Sequence, residues 1–174
     1  MANNRFLKAP FNILKAQIAD VEEILHLQYA AFQSEALLHD NFSIQPLTQT
    51  LEQATEEFNG SIVLIAVLDS EIIGSVRAYE KQETAFIGKL MVHPGYQNQG
   101  IGKRLMQAIE NEFTVKRFEL FTSTKSAKNL ALYRKCGYSR FKTEEATGLT
   151  FVYLEKSQFM QEKQPYHLAQ AEEA

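Results

Sequence analysis

The sequence predicts one mixed α+β domain, with an antiparallel sheet in front and a strand-helix-strand unit behind it. Three observations carry this expectation. Two β-rich runs, Ser61 to Leu68 and Ile72 to Tyr79, are separated only by Asp69-Ser70-Glu71, a polar connection of hairpin type. A third run, Thr84 to Val92, leads through a glycine-bearing turn into a helical pattern. The chain of 174 residues, 45% hydrophobic and 22% charged, has the size and composition of a single globular domain with its own core.

The elements follow in order. Phe11 to Ile18 reads as extended, and Asp20 stands where a helix N-cap belongs. From Val21 the apolar residues Ile24, Leu25, Leu27, Ala31 and Phe32 recur at helical spacing, and Pro46-Leu-Thr opens a second helical stretch carrying Leu51, Ala54 and Phe58. Asn59-Gly60 ends it, with Gly60 suited to the left-handed position beyond a helix. The three consecutive strands come next, the third after a turn at Glu80 to Glu83. Gln99 to Phe113 then sets Ile101, Leu105, Ala108 and Ile109 on one helical face. Arg117 to Thr122 reads as a strand, Ser126 to Cys136 as a helix ended by Gly137, and Tyr138 to Thr143 and Thr150 to Glu155 as closing strands. The domain is expected to span residues 1–156, with a polar tail over 157–174.

Composition limits what the chain can do. Cys136 is the only cysteine, which rules out an intrachain disulfide and a cysteine-based metal site, and fits a reducing, cytoplasmic setting. The histidines His26, His39 and His167 show no metal-ligand spacing, and no metal is expected. The longest unbroken apolar stretch, Ile62 to Leu68, is far short of the roughly 20 residues that cross a bilayer, so no membrane partner is expected. Nor does the N-terminus show an apolar segment followed by a small-residue cleavage site. The formal net charge of −3 hides an asymmetry: Gln97 to Arg140 carries nine Lys and Arg against three Glu, a local +6 in a remainder of −9. The basic segment suits a phosphate-bearing ligand and the acidic remainder a cationic one. A nucleic-acid partner is not expected, because aromatic interleaving and a basic tail are missing.

The basic segment opens on the most informative stretch, Leu90 to Met106. A strand ends at Pro94, Gly100 and Gly102 remove side chains from a tight turn, and a helix starts with free N–H groups pointing back at that turn. Backbone donors and the positive helix end favour phosphate, and Lys103 and Arg104 add full charges one turn in. Two glycines alone mark no more than a turn. A dinucleotide fingerprint needs a third glycine and a P-loop needs Ser or Thr after Gly-Lys, where this chain has Arg104.

The neighbouring residues decide the matter. Gln97-Asn-Gln-Gly-Ile-Gly102, following Leu90-Met-Val-His-Pro94, resembles the acyl-CoA-binding motif of the GNAT superfamily of N-acetyltransferases: Arg or Gln, two residues, Gly, one residue, then Gly or Ala. About 30 residues on, Leu132-Tyr-Arg-Lys-Cys-Gly-Tyr138 is similar to the family's Leu-Tyr-Glu-Lys-Leu-Gly-Phe segment. The resemblance implies the GNAT acyl-CoA N-acyltransferase fold, a central, mostly antiparallel twisted sheet flanked by helices. It implies an acetyl-CoA-dependent N-acetyltransferase that works by direct attack of a primary amine in a ternary complex, on a small-molecule or peptide acceptor. A CoA-binding regulatory module with little catalysis is the alternative. A homodimer through the late strands is one form the family takes.

The resemblance also assigns residues. The backbone of Leu90, Met91 and Val92 would pair with the pantetheine arm as an added strand, Asn98, Gln99, Gly100, Ile101, Gly102 and Lys103 would hold the pyrophosphate through main-chain N–H groups, and Gln97 opens the same cofactor-binding motif. Valine at Gly100 or Gly102 is expected to abolish binding by crowding. Tyr133 would stabilise or protonate the leaving thiolate. The family's Asn seven residues before that Tyr is replaced by Ser126, with Asn129 four residues before it, and either could meet the cofactor arm. No base is evident on the flanking strands, where Phe86, Gly88, Lys89 and Phe121 stand; Glu80, Glu83 and Glu119 are the nearby carboxylates. His93 reads as a strand-end residue and Cys136 as a small core group. The acceptor is expected over Asp20 to Gly60, near Tyr29, Phe32, Glu35, His39, Asp40 and Phe42.

Overall fold

The computed structural model describes residues 10–158. Its strands are β1 (Asn12–Lys15), β2 (Ile62–Leu68), β3 (Glu71–Lys81), β4 (Thr84–Val92), β5 (Arg117–Ser123), β6 (Ser139–Ala146) and β7 (Leu149–Ser157). Its helices are α1 (Val21–Ala31), α2 (Gln33–His39), α3 (Gln45–Thr48), α4 (Leu51–Asn59), α5 (Ile101–Glu110) and α6 (Ala127–Lys135), with single 3-10 turns at Ile18–Asp20 and Pro94–Tyr96. The strands form one sheet in the order β1-β2-β3-β4-β5-β7-β6, and every neighbouring pair is antiparallel except β4 with β5. None of the described helices is long and apolar enough to cross a membrane.

The hairpins are set by their turns. Asp69 and Ser70 have φ of 48° and 69°, Gln82 and Glu83 of 50° and 59°, and Thr147 and Gly148 of 53° and 75°. Two successive left-handed residues twist the chain the same way as the strands they join, which fixes register in a two-residue loop.

The run in β2 is apolar at every position because both its faces are covered. Leu64, Ala66 and Leu68 belong to the cluster under α5, whereas Ile65 packs with Leu27 of α1, Ile72 and Met91 on the other face. Helix α5 presents Ile101, Leu105, Met106 and Ile109, each no more than 1% exposed. Burying a side chain of this kind contributes about 1.5–3 kcal/mol, so α5 and the start of its first turn are held firmly on the sheet. The helix lies close because β3 carries Gly74 beneath it: a Cβ there would meet Leu105 Cδ1 at 3.0 Å, Ile101 Cγ2 at 3.1 Å and the Met91 carbonyl at 3.2 Å.

Several local expectations change. Asp20 occupies the N-cap position of α1, yet its carboxylate accepts the Gln17 N–H at 2.7 Å and so closes the preceding 3-10 turn. The stretch from Pro46 is two helices, because Gln49 and Thr50 are extended (ψ 131° and 164°) and Thr50 caps α4 reciprocally with Gln53. Helix α2 has no counterpart among the elements expected from sequence, and it is Asp40, with φ of 49°, that adopts the left-handed conformation at its end. Gly60 follows α4 at φ −98°, so its expected left-handed cap is not formed. Gly137 does adopt one, at φ 92° after α6. Strand β7 runs through Ser157, one residue past the expected domain end; the rest of the expected tail lies outside the described residues apart from residue 158.

The Gly74 contact predicts that Gly74→Val lowers stability by about 1–3 kcal/mol through overpacking. Urea unfolding measures this. Gly88→Ala, where nothing lies within 4 Å of the added carbon, is expected to leave the midpoint unchanged or slightly higher.

Candidate active site

Strands β4 and β5 pair only at Thr84 with Arg117, Ala85 with Phe118 and Phe86 with Glu119. Beyond that point β4 stays on β3 as far as Val92, opposite Gly74, and β5 stays on β7 as far as Ser123, opposite Phe151. The two strands therefore diverge around a gap walled by residues 87–92 and 120–123. The cause lies in β4 itself: Gly88 faces Arg77 and Met91 faces Ser75, so that Lys89 and Leu90 together oppose Val76. Lys89 takes φ of 48°. An extra residue of this kind bends a strand and increases its twist. Leu90, Met91 and Val92 are left with one edge on β3 and the other without a strand partner among the described residues.

The glycine turn closes one end of the gap. Asn98 and Gly100 are left-handed, with φ of 62° and 82°, and Gly100 is the N-cap of α5 without a side chain to cap it. The first intrahelical bond runs from Arg104 N–H to the Gly100 carbonyl, which leaves the N–H groups of Ile101, Gly102 and Lys103 without intrahelical acceptors. Gly100 supplies a backbone angle, whereas Gly102 supplies closeness: a Cβ there would meet Leu132 Cδ2 of α6 at 3.3 Å. Crowding by valine at Gly102 therefore falls first on α6, inside the protein. Gln97 donates to the Val92 carbonyl at 3.2 Å and accepts from Lys128 Nζ at 2.9 Å, and Gln99 Oε1 is buried without a partner.

The other wall brings α6 against α2. Ser126 is the residue before α6 and is 3% exposed, but its hydroxyl caps nothing: it donates to Glu35 Oε2 at 2.5 Å. Asn129 Nδ2 donates to Thr122 Oγ1 at 3.3 Å and lies 3.5 Å from Glu35 Oε1. His39 Nε2 lies 3.9 Å from Glu35 Oε2. Tyr133 is 7% exposed and packs edge-to-face with Tyr138. Burial first, then the negative charge of Glu35, hold its phenol above the usual range, so it keeps its proton at neutral pH.

A polar cluster sits behind the bulge. Lys89 donates to Gln49 Oε1 at 2.5 Å and lies 3.3 Å from Glu57, which also pairs with Arg77. Gln28 donates to Gln49 at 2.9 Å and to the Pro46 carbonyl at 2.7 Å. The cluster borders a cleft between α1, α4 and the sheet. Burial brings the Lys89 ammonium down to about 8, against the pull of Glu57 and with the help of the Arg77 charge. Among the acceptor-side residues named from sequence, Tyr29 donates to the Gln49 carbonyl at 2.6 Å and Phe32 packs on the second core cluster, so both are structural, while Phe42 is exposed.

The nearby carboxylates named from sequence are at the other end. Glu83 pairs with Lys116 and Glu119 with Arg117, where β4 and β5 still touch, and Glu80 is exposed on the β3 hairpin. The basic segment is divided likewise: Lys116 and Arg117 serve those pairs, and the Arg104 guanidinium lies over the Phe11 ring at 4.0 Å, leaving Lys103 exposed beside the turn. His93 Nδ1 accepts the Gly95 N–H at 3.1 Å, a strand-end role. Cys136 is half-buried against the main core.

A parted strand pair, an uncapped helix start facing the gap and a tyrosine on the next helix define the architecture of an acyl-CoA-dependent transferase. Residues 20–138 match the model of the acetyltransferase (GNAT) family, and the chain belongs to that family. It is an enzyme of the acetyltransferase class. No curated protein matches the sequence. Among solved structures, the PaiA N-acetyltransferase of Thermoplasma acidophilum in complex with coenzyme A superposes with a TM-score of 0.72 at 20% identity, over 86% of this chain and 100% of the other. The ribosomal-protein-S18-alanine N-acetyltransferase of Escherichia coli gives 0.71 at 14% identity, over 85% and 94%. The putative acetyltransferase yncA of Salmonella typhimurium, solved with acetyl-CoA, gives 0.69 at 16% identity, over 86% and 94%.

The low Lys89 value sets a pH dependence. Its folded value of about 8 lies below the 10.5 of the unfolded lysine. Between those limits the unfolded chain binds more protons, so this site's contribution to stability rises with pH. Relative to Lys89→Met, the native chain is expected to gain on the order of 1 kcal/mol between about pH 7.5 and 9.5, read by urea unfolding at each pH.

Proposed function

We propose that the protein transfers the acetyl group of acetyl-CoA to a primary amine by direct attack within a ternary complex. The observation that carries this reading is the gap itself, where a free strand edge, an uncapped helix start and the Tyr133 helix converge. The main chain of Leu90, Met91 and Val92 offers alternating N–H and C=O groups to an amide-bearing arm, as a neighbouring strand would. The N–H groups from Asn98 to Lys103, with the Lys103 ammonium, would hold the pyrophosphate. Gln97 supports them from behind through its bond to Val92 and draws Lys128 to the same mouth. Acetyl-CoA supplies an acyl carbon activated by its thioester.

Tyr133 is proposed as the acid. A phenol that remains protonated can donate to a departing sulfur, and a thiolate accepts that proton more readily than water could supply it. Ser126 and Asn129 lie about two turns and about one turn before Tyr133, and both face Glu35. A CoA-binding module without turnover is the competing reading. It is favoured by the position of Glu80, Glu83 and Glu119 away from the gap.

Release of free CoA thiol from acetyl-CoA in the presence of a polyamine, an aminoglycoside and a peptide with a free amino terminus separates the two. Thiol release dependent on one of these amines is expected; acetyl-CoA binding without release on any of the three would favour the binding module. Tyr133→Phe is expected to lower turnover about a hundredfold while calorimetry finds the acetyl-CoA affinity within about twofold of the native chain. Unaltered turnover would remove Tyr133 from the chemistry.

A further inference from the structure

Most half-buried carboxylates in this protein have a cation beside them. Glu57 has Arg77 and Lys89, Glu110 has Lys156, Glu112 has Lys15, and Glu119 has Arg117. Glu35 does not. Its side chain is 23% exposed, yet among the described residues no lysine or arginine lies within 4.0 Å of it. What it has instead are hydrogen-bond donors on α6, Ser126 at 2.5 Å and Asn129 at 3.5 Å, and His39 one turn along its own helix. A carboxylate drawn out of water without a counter-charge is costly unless hydrogen bonds and a later ligand compensate it.

His39 adds an independent sign of a missing ligand. Its side chain is only 4% exposed, and Nδ1 is buried without a hydrogen-bond partner. Buried polar atoms are nearly always satisfied, so an orphan beside a carboxylate that has no lysine or arginine partner marks a place where a further hydrogen-bonding group belongs. The location agrees: Glu35 reaches from the acceptor-side helices to the start of α6, two turns before Tyr133.

We propose that Glu35 is the general base that takes the proton from the acceptor ammonium, with His39 as the residue that positions it. This rests on the reading of the chain as an N-acetyltransferase. The ammonium gives one proton to the Glu35 carboxylate, which passes it to solvent. The freed nitrogen lone pair forms the C–N bond at the acetyl carbon, and the C–S bond breaks with its electrons on sulfur. Tyr133 protonates that sulfur, and the second proton lost by nitrogen restores the phenol. The net change is one amide and one thiol formed and one proton released. The groups facing Glu35 are His39 on α2 and Ser126, Asn129 and Tyr133 on α6.

The test is Glu35→Gln and Glu35→Asp, assayed by thiol release with whichever of the three amines the native chain accepts, alongside acetyl-CoA calorimetry and thermal unfolding. Glu35→Gln is expected to lower kcat by about 10² to 10³ at neutral pH, with acetyl-CoA affinity within about twofold of native and the loss shrinking as pH approaches the free amine's own value. Glu35→Asp is expected to recover part of the rate. His39→Gln should lower kcat less than Glu35→Gln does. Activity of Glu35→Gln within about threefold of native overturns the proposal. So does a loss equal at every pH, or one that tracks lost acetyl-CoA affinity or melting, since each marks Glu35 as a mere tie between α2 and α6. If the native chain itself binds no acetyl-CoA or acetylates none of the amines, the acetyltransferase reading is what fails, and the role of Glu35 falls with it.

Discussion

The separation of β4 from β5 after three residue pairs is the constraint on which this protein's site depends. A parallel pair held together along its length would have satisfied its own backbone and left nothing to bind. Here a single extra residue at Lys89 bends β4 away, and the cost of unpaired backbone groups is confined to a short stretch that faces the candidate site. Helix α5 starts just beyond the end of β4 that parts from β5, and α6, tied to α2 through Ser126 and Glu35, follows β5.

Sandwiching the sheet between α5 on one face and α1 with α4 on the other gives the opening two distinct sides. Residues of β4 alternate accordingly: Leu90 and Val92 pack toward α5, whereas Met91 joins Leu27 of α1. The glycine turn before α5 belongs to the first side, and the polar cluster of Gln28, Gln49 and Glu57 to the second. The Lys89 side chain, carried by the same bulge, joins the polar cluster between the sheet and α1 with α4.

Features encoded by neighbours in sequence are legible in the chain itself. The hairpin at Asp69-Ser70 and the strand–glycine–helix order around Gly100 announce themselves in a few residues, because left-handed turns and helix starts restrict which side chains can stand there. Gly60 shows the limit of that logic, since a glycine permits a left-handed angle without requiring it. Helix α2 gives no such signal, because its seven residues carry no clear apolar stripe. The Glu35–Ser126 bond joins residues 91 apart in the chain, and no local pattern reports it. The sequence does contain one clue: a serine stands where the related motif carries asparagine, and only the carboxylate facing it in space explains what that hydroxyl is for. Arg104 illustrates the opposite case, a cation whose place in the sequence suits the phosphate turn but whose guanidinium lies over Phe11.

The turn at Gln82-Glu83 joins β3 to β4 with both residues left-handed. Because side chains along a strand alternate in pairs, a slip of one residue at this hairpin would exchange the two faces of β4. Met91 would be turned toward α5, and Leu90 and Val92 toward α1. Two residues of an exposed turn, together with the bulge at Lys89, therefore set which face of β4 each helical layer receives.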